Sequence, residues 1–177
     1  KDIYGKMQKL MQEEGTSLEQ LEEELKDKMK KLYLPQPDEK TGIIPQFDGY
    51  FDLKEIDLSV YKNASVVGTV FHDYSGEDVQ GMQAGKQADI VELLYQMEDI
   101  TTPDNKAKNY VYYEARTLHD SSLSKAIHSI TACDLGMEKE AYEMFMSAAL
   151  TDLGQEMKSS DAGIHSANMG GVWQDVV

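Results

Sequence analysis

The segment Tyr112-Tyr113-Glu114-Ala115-Arg116-Thr117-Leu118-His119-Asp120-Ser121-Ser122-Leu123-Ser124 decides how this 177-residue chain is read. It crowds carboxylate, guanidinium, imidazole and hydroxyl groups into one short polar run. Immediately beyond it, Leu123, Ala126, Ile127, Ile130 and Cys133 recur at helical spacing, so the run predicts a loop feeding the N-terminus of a helix. Such a terminus presents unpaired backbone N–H groups and the positive end of the helix dipole, which together favour an anion. Ser121 and Ser122 suit either a plain helix cap or donation to a bound oxyanion, and His119 suits the same tasks. The choice between those readings depends on what else the fold brings to this loop.

Working outward, the helix predicted after the loop ends at Asp134-Leu135-Gly136, where glycine suits the left-handed C-terminal position. A second helix, from Met137 to about Leu153, is expected to bury Tyr142, Phe145, Met146 and Ala149. The short connection makes the two an antiparallel hairpin. Upstream, Thr102-Pro103-Asp104 marks a restart, and Ile90, Leu93, Leu94 and Met97 share one face of an earlier helix. Gly85-Lys86-Gln87 stands at the start of that helix, a second entrance where a cation and an amide meet backbone donors. At the other end, a polar linker near Ser159-Ser160-Asp161 leads to a helix in which Ile164, Ala167, Val172 and Trp173 are phased inward. Gly170-Gly171 there permits close approach of another backbone, and His165 and Asn168 share a face as a buried polar pair.

The N-terminal part predicts a helix with Ile3, Met7, Leu10 and Met11 on one side, then a break at Gly15. Ser17 and Gln20 form a capping-box pattern ahead of a stripe at Leu18, Leu21, Leu25, Met29 and Leu32, with charged residues around it. Pro35, Pro37 and Pro45 open a long irregular segment, Tyr33 to about Asp57, whose aromatics Tyr33, Phe47, Tyr50 and Phe51 either line a subsite or anchor the loop. Residues 58–74, with Val66-Val67 and Thr69-Val70, fit a strand or a buried helix equally.

A hydrophobic content of 41% supports one core, and 1–177 reads as a single domain. A formal charge of −15 disfavours nucleic acid and anionic membranes as partners, so any anion site must be local. No run is long and apolar enough to span a bilayer, and the first residues lack the layout of a secretion signal. Cys133, the single cysteine, is expected as a small buried thiol in a reducing, cytoplasmic setting. The absence of an initiator Met suggests a piece of something longer. Dinucleotide, Walker, zinc and serine-hydrolase motifs are missing. His72, His119, His128 and His165 are too scattered for a metal site, and His128 reads as a packed histidine.

Several segments, in order, resemble the second half of the catalytic domain of glycoside hydrolase family 65, which includes the maltose, trehalose and kojibiose phosphorylases. They are Ile44-Pro45-Gln46-Phe47-Asp48-Gly49-Tyr50-Phe51, Lys86-Gln87-Ala88-Asp89, Tyr113-Glu114 through Ser124, and Gly163-Ile164-His165 through Gly170-Gly171-Val172-Trp173-Gln174. The resemblance implies an all-α chain of helical hairpins forming part of an (α/α)6 barrel, a fragment of a larger catalytic domain. It implies inverting phosphorolysis of an α-glucoside to β-glucose 1-phosphate, with inorganic phosphate as co-substrate and no cofactor or metal. A hydrolase of the same family and a non-catalytic acidic helical interaction module are the alternatives. By resemblance, Lys86 and Glu114 contact the transferred glucose, while Gln87, His119, Ser121 and Ser122 hold phosphate. A homodimer is the expected assembly of the full-length protein.

The chain also departs from the family pattern. The family's general acid lies in a Gly-Pro-Asp-Glu-type motif that does not occur here, so the isolated chain is expected to be inactive. Ala115 and Lys125 stand where proline is common in the family.

Overall fold

A computed structural model of the chain describes residues 5, 8, 9, 11, 12, 15, 17–62, 67–153 and 163–177. The helix expected near residues 2–13 and the linker near 159–161 fall largely or wholly outside them. The chain forms two compact units, Lys1–Leu34 and Pro35–Val177.

In the first unit, helix α1 spans Leu18–Lys31 and opens with the expected capping box. The Gln20 N–H donates to Ser17 Oγ at 3.1 Å, and the Ser17 N–H donates to Gln20 Oε1 at 3.0 Å. Its flanks carry Glu22–Lys26 and Asp27–Lys31 pairs one turn apart. Such surface pairs add only a few tenths of a kcal/mol each, about 0.3–0.5. The apolar stripe is not buried: Leu18, Leu25, Met29 and Leu32 are all exposed.

The second unit begins with the irregular segment, which is stapled rather than loose. Asn109 is fully buried, accepts from the Ile44 N–H at 2.8 Å and donates to Gly42 O at 2.9 Å. The Tyr113 hydroxyl donates to Ile44 O. Tyr50, in a short 3-10 turn, is buried against Tyr112 and Tyr113, so it anchors the loop, while Phe47 and Phe51 remain half exposed at its rim. The undecided stretch beyond it forms the short helix α2 (Ser59–Lys62) and a 3-10 turn at Thr69–His72. Leu58 and Val70 from this stretch make a small core with Leu118.

Helix α3 (Gly76–Gln80) leads to α4 (Asp89–Gln96), which buries Ile90, Val91 and Leu94. Met97, expected on that face, is exposed because α4 has already ended. Helix α5 (Pro103–Glu114) starts at the expected restart, with Thr102 as its cap, and buries Asn109, Tyr110 and Tyr113. Helices α6 (Ser124–Asp134) and α7 (Glu138–Ala149) form the expected hairpin. Gly136 adopts φ 72°, with Met137 N–H donating to Ala132 O and Gly136 N–H to Cys133 O. That is a Schellman termination, and it requires the left-handed residue.

The faces of these helices differ from the expected ones. The buried side of α6 is Ser124, Ala126, His128, Ser129, Thr131 and Ala132, while Leu123 and Cys133 are exposed. On α7, Ala141 and Ala148 are buried and Tyr142 is exposed. The reason is close approach: Ser129 Oγ donates to Ala141 O at 2.9 Å, which only small residues at the contact allow. Helix α8 (Ser166–Gln174) follows the same rule. A Cβ on Gly171 would sit 2.9 Å from the Ala126 methyl, so the glycine exists for that contact. Asn168 is buried and donates to Ala148 O at 2.8 Å, but His165, expected to be buried with it, is half-buried and pairs with Asp152 instead, and Ile164, Ala167 and Trp173 are exposed.

Candidate functional site

The focal loop is set by what happens on either side of it. Helix α5 stops at Glu114 because Ala115 and Arg116 turn, and Thr117 then runs beside Gly85 as an isolated parallel bridge. The Gly85 N–H donates to Arg116 O at 3.0 Å and the Leu118 N–H donates to Gly85 O at 2.8 Å. Leu118 is anchored in the small core with Leu58 and Val70. The Gly85 site tolerates no side chain, since a Cβ would lie 2.9 Å from Gln87 O. The two entrances read from the sequence, Lys86-Gln87 and His119 through Ser122, are therefore held side by side by backbone hydrogen bonds one residue away from each. Lys86 is exposed and Gln87, Ser121 and Ser122 are half-buried.

His119 has φ 57°, the one left-handed non-glycine residue among those described. Such a conformation costs of order 1–3 kcal/mol in a non-glycine residue and is sustained only by surrounding contacts. Those contacts are present. Leu118 fixes the residue before it, and Asp120 Oδ2 accepts from the Gly68 N–H at 3.0 Å. Ser121 O accepts from the Ser124 N–H at 3.1 Å, and Ser121 Oγ accepts from the Leu123 N–H at 3.3 Å. Helix α6 has no side-chain cap at Leu123, so Ser122 is not consumed as one.

His119 turns its ring inward rather than toward solvent. Its Nε2 lies 3.0 Å from Glu114 Oε2 and its Nδ1 lies 3.0 Å from Ser124 Oγ. The same carboxylate oxygen is 2.6 Å from His128 Nδ1, and Glu114 Oε1 is 2.5 Å from Lys62 Nζ. Burial by itself raises the Glu114 pKa, but hydrogen bonds from His119 and His128 outweigh it and hold the carboxyl well below the usual range. Burial likewise lowers the His119 pKa, against the pull of Glu114. Two of the four histidines are thus brought together: Glu114, His119 and His128 bring ligand-type atoms within 4.8 Å of one another, while His165 pairs with Asp152. This corrects the reading from sequence spacing. The Lys62 ammonium supplies a positive charge at Glu114, and the four side chains form an ionic network.

His128, Lys62 and Ser124 were not among the expected site residues. Ser124 and His128 are one turn apart on α6, a signal that spacing alone carries. Lys62 lies far away in sequence and had no local signal. Next to the network, Arg116 stacks on Tyr112 at 3.7 Å and donates to Gln83 and Glu55. A cavity of about 340 Å³ opens there, lined by Glu55, Asp57, Leu58, Ala115 and Arg116.

The helical hairpins carry this sheltered ionic loop on an all-α chain. Residues 4–174 match the family model described as glycosyl hydrolase family 65 central catalytic domain, and the chain belongs to that family. It is 48% identical over 155 residues to a kojibiose phosphorylase of Halothermothrix orenii, covering 87% of this chain and 19% of that protein. It is 40% identical to a kojibiose phosphorylase of Escherichia coli, covering 82% and 19%. An alpha,alpha-trehalose phosphorylase of Thermoanaerobacter brockii is 34% identical, covering 99% and 23%. A solved structure from the human microbiome, assigned to kojibiose phosphorylase, superposes with a TM-score of 0.78 at 30% identity, covering 96% of this chain and 24% of that one. The fold is all-α, part of an (α/α)6 barrel such as that structure contains. The chain spans about a fifth of the length of these curated relatives. Among the described residues, no helix is long and apolar enough to cross a membrane.

Proposed function

We propose that this chain supplies the phosphate-holding loop and part of the glucose subsite of an inverting disaccharide phosphorylase. The observation that carries the reading is the pair of hydrogen bonds joining Gly85 to Arg116 and Leu118, which holds Lys86-Gln87 beside the His119–Ser122 loop. The names of the relatives make kojibiose the first disaccharide to try.

On this reading Lys86 and Glu114 contact the glucose being transferred. Gln87, Ser121 and Ser122 donate to phosphate, with the backbone N–H groups at the start of α6 completing the cradle. His119 joins them by letting its Nε2–H pass from Glu114 to the arriving anion. Phosphate then attacks the anomeric carbon, the bond to the leaving sugar oxygen breaks, and a proton reaches that oxygen from an acid outside this chain. The product is β-glucose 1-phosphate. Phosphate is a co-substrate, and no cofactor or metal is needed. A hydrolase would instead require a carboxylate base for water where these donors lie. Residues 1–177 serve as one part of a single barrel domain, and alone they bind without turning over.

Titration calorimetry with inorganic phosphate tests the reading. Binding by the parent chain that is lost in the Ser121→Ala, Ser122→Ala double variant supports it. Equal affinity in both counts against it, while release of glucose 1-phosphate from kojibiose and phosphate by the chain alone would overturn the statement that it binds without turning over.

A further inference from the structure

Glu114 is the point where four elements meet, and its partners fix where the protons lie. Lys62 reaches from α2 to Glu114 Oε1 and to the Glu114 carbonyl. Oε2 faces two imidazoles, His119 from the loop and His128 from α6. An ionised carboxylate only accepts, so the nitrogens facing it, His119 Nε2 and His128 Nδ1, each carry a proton. The other nitrogen of His119 meets the Ser124 hydroxyl. The other nitrogen of His128, Nε2, is buried and meets no hydrogen-bond partner among the described residues, and the whole side chain is 1% exposed. A proton there would leave a cationic ring with an N–H aimed at nothing, which costs more than a bare lone pair on a neutral ring. Tyr110 covers one side of that ring, at 5.6 Å between centroids, and His119 meets it edge to face at 4.6 Å.

We infer that His128 is a positioning residue: it carries one ring proton, on Nδ1, and spends it on Glu114 Oε2. Its role is to hold the Glu114 carboxylate in place when the His119 proton moves from Glu114 to an incoming anion. Without His128, the loss of that proton would leave Oε2 unpaired and the carboxylate free to rotate about its last bond. Lys62 does the same for Oε1. His128 touches neither sugar nor phosphate. The role in ligand binding rests on the phosphorylase reading above, while the position of the proton rests on geometry alone.

Two measurements on the 177-residue chain separate those layers. Long-range proton–nitrogen correlation spectra of the 15N-labelled chain report which imidazole nitrogen is protonated. The expected spectrum has His128 protonated on Nδ1 and bare on Nε2, and a proton on Nε2 alone overturns the inference. Glucose and phosphate affinities are then compared for His128→Asn, whose amide can stand where Nδ1–H stood, and His128→Leu, which has no donor. With phosphate saturating, His128→Leu should weaken glucose binding about tenfold, the loss of one charge-assisted hydrogen bond, with His128→Asn within about threefold of the parent. Phosphate affinity should hold in both. Equal losses of glucose and phosphate in both variants would mark His128 as mere packing and overturn the positioning role. If the parent chain binds no glucose, the phosphorylase reading falls, and the spectrum still judges where the proton sits.

Discussion

The Leu118 N–H donates to the Gly85 carbonyl at 2.8 Å, and through that bond two stretches more than thirty residues apart become neighbours. One arm leads to Lys86 and Gln87 at the start of α4, the other to His119 and the serines ahead of α6. Gly85→Ala tests the join. The added methyl meets the Gln87 carbonyl at 2.9 Å, a backbone atom with little room to yield. Overpacking of this kind costs about 1–3 kcal/mol. Urea unfolding should show a loss in that range, accompanied by weaker phosphate binding. Parent-like stability would mean that the bridge is not held as described.

Glu114→Gln keeps the shape of the side chain and removes its charge. Lys62 then sits buried without its counterion, beside two imidazoles that have lost an ionised acceptor. Removing one partner of a buried ion pair costs about 3–5 kcal/mol. Because Glu114 and Lys62 keep 16% and 19% of their side-chain surface in water, the lower end is expected. A midpoint shift within error of the parent would show that the network contributes nothing to stability.

Stability should fall with acid in two stages. His119 has a folded pKa below its ordinary 6.5, so the unfolded chain takes up the proton more readily and stability declines as pH drops through 6.5 toward the folded value. Glu114 has a folded pKa below its ordinary 4.5, so its contribution is complete above that value and is lost as pH falls below it. Denaturant midpoints measured from pH 8 to pH 3 should decline across both windows. His119→Gln should remove the first decline and Glu114→Gln the second. A profile flat from pH 7 to pH 4.5 would contradict the His119 assignment, and one flat on down to pH 3 would contradict both.

Gly171 and Ala126 offer a test of the helix contact itself. Gly171→Ala places two methyl carbons 2.9 Å apart and should cost about 1–3 kcal/mol. Ala126→Gly made in the same chain should restore part of that, although glycine within a helix itself costs about 1 kcal/mol. A double-mutant cycle measures the coupling, and strict additivity would mean that the two positions do not touch.

What the sequence disclosed depended on the range of the interaction behind each feature. The Ser17–Gln20 box, the Thr102 cap and the left-handed Gly136 are closed within a few residues, and each was legible from local pattern. The hairpin of α6 and α7 followed from the shortness of the turn between them. Which faces those helices bury was not legible from apolar spacing. The contacts among α6, α7 and α8 are made at Ser129, Ala141, Ala148 and Gly171, small residues that let backbones approach, while the larger Leu123, Tyr142 and Trp173 are exposed. The polar loop announced the site, and resemblance supplied roles for six residues. The inward turn of His119 needs the left-handed backbone at that residue and the partners Glu114 and Ser124. The arrival of Lys62 needs the fold of residues 58–74, a stretch that pattern left open between strand and helix.

The central claim is that Lys86-Gln87 and the His119–Ser122 loop serve one anion-binding place. Amide chemical shifts of the 15N-labelled chain, followed while inorganic phosphate is added, address it most directly. Shifts that saturate together in residues 85–88 and 119–124, with one apparent affinity, are the expected result. Saturating phosphate that moves only one of the two stretches, or neither, would contradict it.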